Sequence, residues 1–363
     1  MKEIRIATRR ICGDQPPFIV AEMSGNHNQS LERALAIVDA AAEAGAHGLK
    51  IQTYTADTMT LDVSSADFRI DDPESLWAGR NLHQLYQEAY TPWVWHEAIF
   101  ERCRYHGLIG FSTPFDASAV DFLESLEVPC YKIASFEVTD LPLLQRVART
   151  GKPVIMSTGM ATAAELDEAV KTLRDGGCHD LILLKCTSSY PSSPENTNLR
   201  TIPHLRQLFD LQVGLSDHTL GIGAAVAAVA FGATLVEKHF TLTRAEGGID
   251  AAFSMEPAEL ASLVTETERA RQALGRINYG PSGESEERML KYRRSIYVAE
   301  DISEGEPFTE RNLRVVRPSL GLPPKYYRQL LGMRAARDLT KGAAVEWSMI
   351  AAVSPAPVGV ERE

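Results

Sequence analysis

"QVGLSDHTLGIGAAVAAVAFGATLVEKHFT" (residues 212–241) reads as strand, helix, strand. Its two ends, "QVGLSDHT" (212–219) and "TLVEKHFT" (234–241), are short and β-rich. Between them, small and aliphatic residues from Ile222 to Phe231 fit a helix. The following Gly232 suits the left-handed position that closes a helix. A strand that is apolar along its length is covered on both faces, the usual condition of a parallel sheet. Each strand also ends in a histidine, His218 and His239, with Asp217, Glu237 and Lys238 beside them.

The same unit recurs outward from this stretch. Further strand candidates are "FIVAEMS" (18–24), "GLKIQTY" (48–54), "IGFSTPF" (109–115), "CYKIASFE" (130–137), "PVIMSTG" (153–159) and "LILLKCTSSYP" (181–191). Helical patterns at Leu31–Ala44, Leu141–Thr150 and Ala163–Asp175 lie between them. Eight such units predict a (β/α)8 TIM barrel, an α/β fold, over residues 1–274. A doubly wound sheet is the competing architecture, but no GxGxxG follows the first strand. In a barrel, chemistry belongs at the C-terminal ends of the strands. Those ends carry Glu22, Lys50, Gln52, Thr113, Lys132, Ser135, Glu137, Ser157, Lys185, Ser216, His218 and His239.

The segment between the second and third strands is too long for a plain connection and predicts a lid over the mouth. Its aromatics Trp77, Tyr86, Tyr90, Trp93 and Trp95 are expected to pack the loop itself. Composition turns polar at "GRINYGPSGESEERMLKYRR", which predicts a linker over 275–291. Residues 292–363 then read as a small turn-rich domain, with barely enough chain for a core of its own.

The formal net charge of −11 argues against a nucleic-acid partner, which needs a cationic face. It leaves room for a small anionic substrate where lysines cluster. The sequence offers no long apolar run for a membrane span and no signal-peptide pattern at its start, so a cytoplasmic protein is expected. Five widely spaced cysteines, with no CxxC, read as buried free thiols.

Neighbouring strand ends bring His218 and His239 together, and two neutral imidazoles suit a borderline divalent ion completed by water and substrate oxygens. The alternative is that each histidine only hydrogen-bonds within the mouth. Lys50 and Lys132, with Thr113, Ser135, Ser157 and Ser216, suit a phosphate and a carboxylate. The alternative there is salt bridging of Lys50, Lys132, Lys185 and Lys238 with Glu22, Glu137 and Glu237. A Schiff-base lysine, Lys132 or Lys185, would instead give aldolase chemistry. Glu22, Glu137 or Asp250 can serve as the general base.

Several of these stretches resemble the sialic acid synthase family: "FIVAEMSGNHNQSLERALAIVDAAAEAGAHGLKIQTYTADTMT" (18–60), "FSTPFD" (111–116), "STGMAT" (157–162) and "GGIDAAFSMEP" (247–257). The tail resembles the antifreeze-like (SAF) domain of those enzymes. "LYQEAYTPWVWH", "KIASFE" and "KCTSSYP" are closest to the pseudaminic acid branch; the N-acetylneuraminate and legionaminate branches are the alternatives within the family. The resemblance implies condensation of phosphoenolpyruvate with 2,4-diacetamido-2,4,6-trideoxy-L-altrose, releasing phosphate. It implies a divalent metal (Mn²⁺, Mg²⁺ or Co²⁺) on His218 and His239, which with Glu22 and Glu137 form the catalytic set. Phosphoenolpyruvate would lie on Lys50, Thr113, Lys132, Ser135, Ser157, Ser188 and Ser216. At Ser188 this sequence departs from the asparagine usual in the family. The sugar would meet Gln52, Tyr190, Asp250 and Arg317, the last offered by the partner in a domain-swapped homodimer.

Overall fold

A computed structural model of the chain describes residues 2–352 and divides it into two compact units, Met1–Gly275 and a unit from Arg276 onward. Residues 353–363 of the expected tail domain lie outside the described residues.

The first unit opens with an antiparallel hairpin that sequence reading missed, β1 (Ile4–Ile6) and β2 (Arg9–Ile11). Eight parallel strands then close a barrel. They are β3 (Phe18–Glu22), β4 (Gly48–Thr53), β5 (Ile109–Pro114), β6 (Tyr131–Ile133), β7 (Val154–Ser157), β8 (Leu181–Cys186), β9 (Gln212–Asp217) and β10 (Leu235–His239). β10 returns beside β3 with Leu235 opposite Phe18 and His239 opposite Glu22, which seals the ring. Every expected strand is present, though shorter. β6 stops at Ile133, and Ser135–Glu137 form a 3-10 turn, so Glu137 sits beyond the strand rather than on it.

Helices alternate with the strands, and their starts are chemically specified. Ser30 accepts from the Arg33 amide ahead of Leu31–Glu43. Thr162 and Glu165 form a reciprocal capping box ahead of Ala163–Asp175. Gly232 ends Gly223–Ala230 with a φ of +91°, and a Cβ there would strike the Arg206 guanidinium.

Side chains alternate across each strand, and two separate apolar clusters show which go where. Phe18, Val20, Phe111, Cys130, Ile155, Ile182, Leu184 and Leu235 pack together with Ile4, Ile6 and Ile11 of the hairpin, which plugs the N-terminal end of the lumen. Ile19, Ala21, Leu49, Ile51, Leu183, Val213, Leu215 and Val236 belong to the layer beneath the helices. Continuing each lumen series up its strand reaches Glu22, Lys50, Thr113, Lys132, Ser157, Cys186, Ser216, Glu237 and His239. The N-terminal end of the lumen is apolar and its C-terminal mouth polar.

The second unit holds a helix at Glu284–Met289 and an antiparallel pair, β11 (Ser295–Val298) and β12 (Leu313–Val316). It has a core of its own, including Ile296, Ile302, Phe308, Leu313 and Leu330. Among the described residues, no helix is long and apolar enough to cross a membrane.

Candidate active site at the barrel mouth

Alternation settles which of the strand lysines face the mouth. Lys50 and Lys132 belong to the lumen series and are almost fully buried. Lys238 belongs to the other series and pairs outside the lumen with Asp217 at 2.7 Å, also donating to the Thr219 carbonyl at 2.7 Å. Lys185 points away as well, donating to the Cys186 carbonyl at 2.7 Å and to Thr187 Oγ1 at 3.3 Å. Of the four strand lysines, only two therefore line the site.

Glu237 is the hub that sequence reading had left in a list of salt-bridge partners. Its Oε1 lies 3.3 Å from both Lys50 Nζ and Lys132 Nζ, and 3.5 Å from Ser216 Oγ. Lys50 also meets Glu22 Oε2 at 3.0 Å and Thr113 Oγ1 at 3.1 Å. Burial raises the Glu237 carboxyl, but the two ammoniums outweigh it and hold the group below its ordinary value. Burial raises Glu22, which has one ammonium and the Gln52 amide, the latter 2.8 Å away. Glu22 is thus the carboxyl of this cluster that takes a proton first. The cluster sets two lysines against two carboxylates, with burial pushing Lys132 down against the pull of Glu237.

A row of hydroxyls and one amide borders this cluster. The Gly159 amide donates to Ser135 Oγ at 3.0 Å, and a Cβ on Gly159 would collide with Ser135 and Ser188, so all three sit in one crevice. Ser157 Oγ is buried with no hydrogen-bond partner. Burial pushes Glu137, half-buried in the turn beyond β6, up to about 7.

The two histidines meet above, with ring centroids 5.3 Å apart. His218, one residue past the end of β9, has Nδ1 2.8 Å from the Thr187 carbonyl, so Nδ1 carries a proton; burial works to lower the ring, but Cys186 and that carbonyl raise it above its ordinary value. Burial, then the neighbouring His218, holds His239 far below its ordinary value, so it is neutral. Its Nδ1 is buried without a hydrogen-bond partner, with Asp250 Oδ2 3.9 Å away. No group of three or more His, Cys, Asp or Glu suited to a metal exists among the described residues. Two imidazoles, one oriented by a carbonyl and the other carrying an orphaned nitrogen, fit an ion that takes its remaining ligands from water and substrate, with His218 giving up a proton as the ion binds.

The acceptor-side candidates also converge. Tyr190 lies against His218 with centroids 4.5 Å apart. Ser24, unflagged by sequence, hydrogen-bonds Asp250 and receives the Gln52 amide at 3.0 Å. Phe253, likewise unflagged, packs on His239 at 4.8 Å. Only proximity in the fold reveals them. In the lid segment Tyr86, Trp93 and Trp95 pack not within the loop, as expected, but against Tyr54, Phe122 and His27 of the barrel and its connections. Trp77 differs: its ring stands 6.0 Å from Tyr190 and its indole donates to the Ile249 carbonyl at 3.0 Å. Arg317 is exposed in the second unit, just past β12.

A model of the NeuB family matches residues 37–279, and one of the SAF domain matches residues 293–351. The chain is 43% identical over 336 residues to the pseudaminic acid synthase of Campylobacter jejuni serotype O:2, covering 92% of this chain and 96% of that one. It is also 43% identical to the pseudaminic acid synthase of Helicobacter pylori, covering 90% and 95% respectively. Among solved structures it resembles the N-acetylneuraminic acid synthetase of Leptospira borgpetersenii crystallised with citrate. The TM-score is 0.70 at 35% identity, covering 80% of this chain and 96% of that chain.

Proposed function

The chain belongs to the NeuB family, and from that premise we propose that it is a pseudaminic acid synthase. It joins phosphoenolpyruvate to 2,4-diacetamido-2,4,6-trideoxy-L-altrose with uptake of water, giving pseudaminic acid and phosphate. The observation that carries this reading is 43% identity to pseudaminic acid synthases along 92% of the chain. The site geometry supports the chemistry.

Phosphoenolpyruvate brings a phosphate and a carboxylate, and Lys50 and Lys132 on the floor of the mouth receive them. Thr113, Ser135, Ser157, Ser188, Ser216 and the Gly159 amide supply donors around it. An anion there takes over from Glu237 as the partner of at least one ammonium. His218 and His239 hold the divalent ion, Mn²⁺ or Mg²⁺. When bound, the ion supplies Lewis-acid polarisation of the sugar aldehyde. Tyr190, Gln52 and Asp250 orient the open-chain acceptor so that its carbonyl carbon lies over C3 of the donor.

The bond forms between C3 of phosphoenolpyruvate and the aldehyde carbon, whose oxygen gains a proton. Water adds to the cationic C2, losing a proton to a carboxylate. The C2–O bond to phosphate then breaks as the new C2 hydroxyl passes its remaining proton to the departing phosphate, leaving a ketone. Glu137, held at about 7 by burial, exchanges protons readily at neutral pH and takes the proton from water. Because the ionised form is the base, kcat/KM should rise as pH passes upward through about 7. Glu137→Gln should flatten that limb and lower kcat. A limb unchanged in the variant would remove Glu137 from this role.

We place the enzyme in the cytoplasm as a homodimer in which Arg317 of one copy serves the acceptor bound by the other. Arg317→Ala should raise the KM of the sugar while leaving that of phosphoenolpyruvate unchanged. Equal effects on both would contradict the assignment. The function itself is tested by phosphate release with Mn²⁺, offering the altrose sugar, N-acetylmannosamine and the legionaminate precursor in turn. Turnover confined to the altrose sugar is expected. Preference for another acceptor would overturn the substrate assignment.

A further inference from the structure

A cavity of about 590 Å³ is walled by Leu76 and Trp77 of the lid segment, by Ile249 and Ala252, by Asn28 and Gln29, and by Arg80 and Glu88, which pair with each other at 2.5 Å. Two of these residues are one step from a group of the mouth. Ile249 precedes Asp250 in the chain, and Trp77 both lines the cavity and faces Tyr190. The bond from the Trp77 indole to the Ile249 carbonyl ties the lid to the loop after β10, so these walls are held together.

The walls differ in chemistry. Leu76, Ile249, Ala252 and the Trp77 ring form an apolar side. Asn28 and Gln29 have their amide nitrogens committed, to the Gly247 carbonyl at 3.2 Å and to the Glu88 and Tyr90 carbonyls at 2.9 and 2.7 Å. Their side-chain oxygens are left to accept. A cavity that offers hydrocarbon on one side and acceptors on the other suits a ligand end carrying methyl groups and amide N–H donors. Hydroxyls set against the apolar side would find no partners there, the Arg80–Glu88 pair and the two amides lying elsewhere in the lining.

We propose that this cavity receives the far end of the sugar, the 6-methyl and 4-acetamido groups, and that Leu76 and Ile249 are specificity-determining residues. The inference rests on the function proposed above. Contact with a methyl is worth about 10-fold or more in discrimination where it displaces a hydroxyl from an apolar wall. The lid thereby selects the acceptor, while the floor of the mouth binds the donor whatever acceptor is used.

The test uses the full-length protein with Mn²⁺ and two acceptors, the altrose sugar and N-acetylmannosamine, for the parent and for Leu76→Ser and Ile249→Thr. Leu76 is 48% exposed, so its replacement leaves the fold intact, and an unchanged KM for phosphoenolpyruvate monitors this. The expected result is a loss of about 10-fold or more in kcat/KM for the altrose sugar in each variant. It should appear mainly in KM, and selectivity over N-acetylmannosamine should narrow. If the parent prefers the altrose sugar but both variants retain its kcat/KM and selectivity, the cavity assignment is overturned and the function stands. If the parent itself prefers N-acetylmannosamine, both fall together.

Discussion

His239→Ala should reduce turnover on the order of 1000-fold, equivalent to about 4 kcal/mol of transition-state stabilisation. His239 is the last residue of β10, buried and neutral, with a nitrogen that no protein group satisfies. Its ring stands beside His218, whose Nδ1 is committed to a backbone carbonyl. Removing one of two imidazoles leaves an ion with a single protein nitrogen, so Mn²⁺ affinity measured by calorimetry should fall with the activity. A variant that binds Mn²⁺ normally and turns over normally would show that the pair is only a hydrogen-bonded feature of the mouth.

Glu237→Ala should be the most damaging single change to stability. It leaves Lys132 without the carboxylate that faces it and brings two buried ammoniums into mutual repulsion. Breaking one side of a buried ion pair typically costs about 3–5 kcal/mol. For a protein of this size that corresponds to a fall of roughly 5 °C in Tm. Inorganic phosphate should recover more of the melting temperature in the variant than in the parent, because it binds the folded state where the carboxylate was. A variant melting alongside the parent would mean that the two lysines are not charged together in the absence of ligand. Phosphate stabilising both proteins equally would argue against the floor as the anion site.

The barrel, its order of strands and the histidine pair were legible because they are written in local patterns. Continuous apolar runs such as "LILLKC" (181–186) and closing glycines such as Gly232 each act over a few residues. Strand ends were less legible. "CYKIASFE" has the composition of one long strand, yet the chain turns after Ile133 and presents Glu137 from a 3-10 turn. The N-terminal hairpin escaped because three-residue strands such as "IRI" and "RRI" carry no periodicity.

The sequence by itself determined the fold, the family and the cast of polar residues at the strand ends. Only the tertiary structure decided which of them face one another. In a strand covered on both faces, apolar residues fill both parities, so composition does not reveal which parity faces the lumen. Closure of the ring and the plug of Ile4, Ile6 and Ile11 settle it for all eight strands at once. That sends Lys50, Lys132 and Glu237 into the mouth, and Lys185 and Lys238 away from it. Ser24, Phe253 and Trp77 join the site for a related reason: they come from loops far apart in the chain, brought together only where the barrel ends.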